Sequence, residues 1–318
     1  MIEIFVNKQS KINTIQKAID SITDSSSKVV IHLENGIYNE KIKLTRPNVS
    51  IVGEDKYKTI ITNNDYATKI HEDGLPYNTF RTYTLMVNSS NCTLENLTIK
   101  NTSNIDFPDI KVSQAVSLAL NGDLITINNC ILKSHQDTLF IGPLPKNLIF
   151  RYNGFLPKDE RIVFPNHRVI ITNSYIEGTV DFIFGSGNAY FNNCTFHSLS
   201  EEGFVFAPST YEEDYFGFVV TNSIFTSSFK TPKTYIARPW RDYGKVVLIN
   251  STMANHICDD GWDKWQGTNR DKTCRFYEYN TKYFDNHEFS RTYFGKNLSS
   301  DEASKYEFDN FIKGNTQS

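Results

Sequence analysis

The sequence predicts an all-β chain wound as a parallel β-helix, with short helices near its two ends. Two observations carry the prediction. The first is a recurring unit: a β-prone run, an asparagine turn, then a second short β-prone run. Copies occur at Cys92–Asn101, Leu124–Leu132, Val169–Ile176, Ala189–Phe196, Phe218–Phe225 and Val246–Met253. The second is spacing. The turn asparagines Asn129, Asn173, Asn193, Asn222 and Asn250 are separated by 44, 20, 29 and 28 residues. Repeats of this size stack as a solenoid, and short strands favour a β-helix over a helical array. Asparagine suits the corners because it tolerates left-handed backbone and bonds its own main chain.

Taken in order, Ile12, Ile15, Ala18, Ile19 and Ile22 fall at helical spacing and predict a short amphipathic helix over 12–23 that covers one end of the core. Strands are expected at Val29–Leu33, Gly36–Glu40, Val49–Val52 and Thr59–Thr62, followed by a polar insertion over about 63–80. The 20-residue step is one bare rung. The 44-residue step is either two rungs or one rung with a long insertion. Residues 141–168 are the expected insertion, with Pro143, Pro145 and Pro157 ahead of Pro165. Residues 300–312 read as a serine-capped helix. One domain over 1–318 is expected.

Composition sets bounds. The chain is 39% hydrophobic and 22% charged, ordinary for a soluble globular protein with a large core. A net charge of −3 suggests neither nucleic acid nor an acidic membrane surface as partner. Aromatic residues make up 14%, which fits core packing or a sugar-stacking groove. The five cysteines, Cys92, Cys130, Cys194, Cys258 and Cys274, include no CxxC pair, so neither a disulfide framework nor a zinc site is indicated. Cys130 and Cys194 share an Asn-Asn-Cys pattern and read as small residues stacked in the core. No apolar run is long enough to span a membrane. The N-terminus lacks a basic segment followed by an apolar run, so a cytoplasmic protein is expected; secretion with the export signal outside this chain is the alternative. Asn96 and Asn250 lie in glycosylation sequons but read as turn residues.

Nucleophile, zincin, Walker and dinucleotide motifs are absent. The chemistry therefore falls to carboxylates, amides and an arginine. Asp181 sits in the apolar run Val180–Phe184, where a carboxylate is expensive unless paired. The expected partner is Asp137, in Ser134-His-Gln-Asp-Thr-Leu-Phe140. Asp137 lies seven residues after Cys130, and Asp181 seven after Ser174, so both occupy one phase of the repeat. On stacked parallel strands such positions lie roughly 5 Å apart. Two carboxylates that close do not both ionise easily. The ionised one can attack a carbonyl and the protonated one can protonate a leaving group. Gln136 and Gln114 can offer amide donors to an oxyanion. Arg238 can hold a carboxylate by a forked bond, and Trp240 can wall a sugar ring. His135 is read as a neighbour, not a base. Taken singly, Asp137, Asp181 and Gln114 are also common solenoid-corner residues; the ordered set is what singles them out.

Gln114-Ala-Val, Gln136-Asp-Thr-Leu139, Asp181-Phe-Ile-Phe-Gly185 and Arg238-Pro-Trp240, in that order, resemble the pectin methylesterase (pectinesterase) family. Gly36-Ile-Tyr-Asn-Glu40, the Gly-Trp-x-x-Trp run ending at Trp265, Glu278-Tyr-Asn280 and the final helix agree with it, over about residues 10–312. The resemblance implies a right-handed parallel β-helix that hydrolyses methyl esters on galacturonate units of pectin or its oligomers, releasing methanol without metal or cofactor. It implies Asp181 as the nucleophile that forms an acyl-enzyme and Asp137 as acid, then base. Gln136 would build the oxyanion hole, and Gln114 would contact the reacting group. Arg238 would orient Asp181, and Trp240 would line the groove. Phe182 and Phe184 are groove or core rings, with Phe184 placed beside Trp240 as a substrate contact. A monomer is expected.

Three departures stand out. Ala237 replaces the family's usual glycine, which could crowd a turn. The stretch from Asp137 to Asp181 is long, so an extra loop could overhang the groove and affect substrate length. The export signal is missing, which would suit imported oligogalacturonides. Rival readings are a pectate lyase or galacturonan glycosidase, a non-catalytic polysaccharide-binding solenoid, and an esterase or thioesterase for another acyl group.

Overall fold

Left-handed backbone at an asparagine turns the coil at seven successive rungs from Asn96 onward. In the computed structural model, which describes residues 1–7, 9, 11–24, 26–152 and 154–314, Asn96, Asn129, Asn173, Asn193, Asn222, Asn250 and Asn280 all have φ between 49° and 56°. Each closes the corner between the first and second sheets. Their amides form a ladder: Asn129 Nδ2 donates to Asn96 Oδ1 (3.0 Å), Asn193 to Asn173 (2.8 Å) and Asn280 to Asn250 (2.8 Å). After Asn129, Asn173, Asn193, Asn222 and Asn250 the next residue is small and buried. Ser174 Oγ accepts from the Cys130 N–H, and Ser223 Oγ from the Cys194 N–H, so otherwise unpaired donors inside the corner are satisfied. Cys130 and Cys194 are thus core residues of the stack, as is Cys92 near the preceding rung.

The coil is a right-handed parallel β-helix, the architecture expected from the repeat and the family resemblance. Three sheets of 11, 9 and 7 strands run its length, and every strand pair among the described residues is parallel. The bare rung from Asn173 to Asn193 contains one strand from each sheet: Tyr175–Gly178 in the second, Val180–Gly185 in the third and Asn188–Asn192 in the first. The 44-residue step is also a single rung, because Ile125–Asn128 pairs directly with Arg168–Thr172. Its extra length leaves the coil after strand Leu139–Ile141, forms a helix at Lys146–Arg151, and returns at Arg168.

Sequence patterning identified most strands of the first two sheets. It did not separate out the third-sheet strands Ile42–Leu44, Leu85–Val87, Leu118–Leu120 and Leu139–Ile141, each three residues long, or the edge strand Ile2–Val6. Three residues are too few for a periodicity to register.

Inward-facing residues of all three sheets form one continuous core. It is aliphatic in the early rungs and aromatic later, where Phe191, Phe196, Phe206, Phe218 and Phe225 pack ring against ring at 5.1–6.3 Å. The N-terminal helix is shorter than the apolar spacing suggested, Ile15–Asp20. Thr14 caps it, and Glu40 accepts from the Ile15 and Gln16 N–H groups. Its buried Ile15, Ala18 and Ile19 close the end of the core. At the C-terminus the predicted helix is two pieces, Ser300–Ser304 and Phe308–Lys313. Ser299 and Glu302 form a capping box on the first. Ala303, Tyr306 and Phe311 pack on the outer face of the first sheet.

Candidate active site

The outer face of the third sheet carries the polar cluster. Its strands leave register at one place: Val180 faces Phe204, but Ile183 faces Phe206, so the strand Val180–Gly185 holds one extra residue. Asp181 sits in that bulge with φ 50°. The bulge lets Phe182 and Ile183, consecutive residues, both enter the core, while Asp181 and Phe184 are left on the outer side. Gly178 permits this, since a Cβ there would lie 2.3 Å from Phe182 Cβ. One rung below, Asp137 also has a positive φ, 61°, and its N–H donates to the Val180 carbonyl (3.2 Å). The offset of 44 residues that pairs Leu139 with Ile183 also aligns Asp137 with Asp181. The equal-phase argument from Cys130 and Ser174 therefore describes the actual stacking. A further rung down, Gln114 pairs with Gln136 through a parallel bridge.

Asp181, Asp137, Gln136, Gln114, Arg238, Trp240 and Phe184 line one cleft of ≈ 920 Å³. Arg238 reaches Asp181 from two rungs above with a forked bond: Nε to Oδ1 at 2.8 Å and Nη2 to Oδ2 at 2.7 Å. The guanidinium lies between two rings, 3.9 Å from the centroid of Phe204 and 4.1 Å from that of Trp265. Stacked on both faces, the fork has little freedom to leave the carboxylate. Both aspartates are buried, at 7% exposure for Asp137 and 9% for Asp181.

Their electrostatics differ. Burial raises the Asp181 carboxyl, and the hydrogen bonds and charge of Arg238 pull it back. Burial, then the neighbouring Asp181 charge, drives Asp137 well above the ordinary carboxylate range; a Gln136 side-chain hydrogen bond and the more remote Arg238 only partly oppose this. On balance both carboxyls are raised, Asp137 the more, so the pair is divided into a carboxylate anchored by a cation and a carboxyl that gives up its proton less readily.

Phe182 is fully buried in the interior core, whereas Phe184 faces the cleft; this separates the two rings. Phe184 meets Trp240 edge-on at 5.8 Å and Phe140 at 5.2 Å, so it is a support for the wall with 3% exposure. Trp240 keeps a partly open face. His135 is absent from the lining; its carbonyl accepts from the Thr179 N–H and hydroxyl. Ala237 ends a strand with its methyl buried in the core, and its φ is not positive. No turn is crowded there.

The cleft also contains residues that the sequence had not assigned. Asn78, Thr79 and Phe80 come from the polar insertion, and Leu148, Arg151 and Tyr152 from the segment that leaves the 44-residue rung. Ala207, Arg241 and Trp265 complete the lining. Trp265 lay in the noted Gly-Trp-x-x-Trp run and Arg241 directly follows Trp240, so both had a local signal but no visible partner.

Comparison with known proteins agrees with this fold. A family profile described as Pectinesterase matches residues 3–144 and 159–315. Pectinesterase A of Dickeya dadantii is 30% identical over 312 residues, covering 84% of this chain and 78% of that protein. A crystal structure of a pectin methylesterase with a hexasaccharide superposes with a TM-score of 0.81 at 27% identity, covering 100% of this chain and 99% of that one. Pectin methylesterase PemA from Erwinia chrysanthemi gives 0.81 at 26% identity, covering 100% and 98%. With its match spread over nearly the whole length, the chain belongs to the pectinesterase family.

Proposed function

We propose that this chain hydrolyses methyl esters of galacturonate units, with Asp181 as nucleophile and Asp137 as acid and then base. The carrying observation is the forked Arg238–Asp181 pair beside an Asp137 whose carboxyl is pushed far upward. An Asp181 oxygen attacks the ester carbonyl carbon. Asp137 gives its proton to the methoxy oxygen, the C–O bond breaks, and methanol leaves an acyl-enzyme on Asp181. Asp137, now a carboxylate, takes a proton from water; the hydroxide attacks the acyl carbon and frees Asp181 and the galacturonate. Gln136 and Gln114 serve the oxyanion formed in each half. Trp240, backed by Phe184, forms the apolar wall for a sugar ring.

The test is methanol release from highly methylated pectin and from short methylated oligogalacturonides, with EDTA present. Asp181→Ala is expected to abolish turnover with the fold kept, and Asp137→Ala to cut acyl transfer severely. Near-wild-type methanol release from either variant would refute the roles. Unsaturated or reducing ends without methanol would replace the esterase by a depolymerase. The ratio of polymer to oligomer turnover reads substrate length, which the loops over the cleft are expected to restrict.

A further inference from the structure

The family profile passes over residues 145–158, yet this segment builds one wall of the cleft. It is seated by burial: Leu148, Tyr152 and Leu156 join Phe80, Phe140 and Phe184 in a second apolar cluster outside the coil. Tyr152 Oη donates to Asn78 Oδ1 (2.9 Å), tying the segment to the loop opposite. Asn147 Oδ1 accepts from Arg241 Nε (3.2 Å), and Arg241 Nη1 donates to the Trp240 carbonyl (2.7 Å). The Arg241 guanidinium is thus fixed at the end of the catalytic cleft, where a second cleft of ≈ 1240 Å³ begins. Arg151, the last residue of the segment's helix, lines the same catalytic cleft.

Among the described residues, the cations and acids at this end pair as Lys146 with Glu213, Arg270 with Asp242, and Arg238 with Asp181. Neither Arg151 nor Arg241 has a carboxylate within ion-pair distance in that set. Burial and the nearby Arg270 make the Arg241 charge costly, Asp242 offsets only part of this, and an incoming anion would relieve it further. The proposed substrate carries anions of one kind, the carboxylates of galacturonate units that bear no methyl group.

We propose that Arg151, together with Arg241 held by Asn147, forms a subsite that binds an unesterified galacturonate carboxylate flanking the ester being cleaved. The segment at 145–158 is then a specificity element outside the span that the family profile matches. The inference rests on the esterase reading above.

The experiment compares kcat and KM for methanol release from a fully methylated hexagalacturonate and a partly de-esterified one. The readout is the ratio of kcat/KM, partial over full, for the intact chain and its Arg151→Gln and Arg151→Lys variants. Loss of a charge-assisted contact predicts that this ratio falls about tenfold in Arg151→Gln, through KM. Arg151→Lys should restore part of it, and added salt should lower the wild-type ratio. Asn147→Ala, which releases Arg241, should lower the ratio in the same direction. A ratio that stays within about twofold in Arg151→Gln and Asn147→Ala would overturn the subsite while leaving the esterase in place. An equal loss of kcat on both substrates would overturn it too, as a structural effect. Wild-type protein that releases no methanol from either substrate would overturn the esterase reading itself.

Discussion

Replacing Arg238 by Gln tests how the two aspartates are divided. The wild-type guanidinium makes two bonds to Asp181, at 2.8 and 2.7 Å, and is stacked between Phe204 and Trp265. Hydrogen bonds to a charged group contribute about 1.5–3 kcal/mol. At about 1.36 kcal/mol per decade, kcat should fall roughly 10- to 100-fold. The pH profile should move as well. In the wild type, Arg238 offsets the burial that raises Asp181. Without it burial is left largely unopposed, so the acid limb of kcat, which reports ionisation of Asp181, shifts to higher pH. The basic limb, set by Asp137, should follow upward by less, because Arg238 is a smaller influence there. Methanol release from a methylated oligogalacturonide across pH, with thermal melts to verify folding, measures both. Arg238→Lys keeps the charge but loses the fork and should fall between. A folded Arg238→Gln enzyme with an unmoved acid limb would refute the assignment of Asp181 as the ionised partner.

Three further outcomes are expected. Asp137→Asn should raise the melting temperature at neutral and higher pH while removing activity. The folded pKa of Asp137 is raised, so the native state holds a proton that the unfolded chain releases; this penalty is absent below the ordinary carboxylate range, grows as pH rises from there towards the folded pKa, and is constant above it. A difference of the same size at about pH 3 and about pH 8 would count against it. Trp265→Leu should lower kcat by roughly 2- to 30-fold, from a cation–π contact of about 0.5–2 kcal/mol, with the acid limb moving as in Arg238→Gln. Ala237→Gly should destabilise the fold by about 1 kcal/mol in denaturant titration, because a buried strand methyl is lost, and should leave methanol release nearly intact. A marked gain in activity would show that the methyl does crowd the site.

Local chemistry made much of this protein legible in one dimension. Asparagine at each corner is a backbone requirement, met residue by residue, so the rung spacing and the strands beside it could be read directly. The equal phase of Asp137 and Asp181 follows from the same repeat, since parallel stacking turns sequence offset into spatial register. Ordered motifs then identified Gln114, Gln136, Arg238 and Trp240 as companions.

Tertiary structure decided what depends on contacts between distant segments. The bulge at Asp181 sends Phe182 inward and leaves Phe184 at the cleft, a division that alternation alone cannot make because the extra residue shifts the phase. The sandwich of Arg238 joins Phe204 to Trp265 across 61 residues of chain, and neither ring's neighbours announce it. The walls at Asn78 and Arg151 come from insertions outside the rung repeat, placed by the apolar residues they bury against the outer sheet face. Sequence by itself thus determined the coil and the aligned pair of aspartates, which obey a local repeat; only three-dimensional packing decided the shape and charge of the cleft, because those arise where the repeat is interrupted.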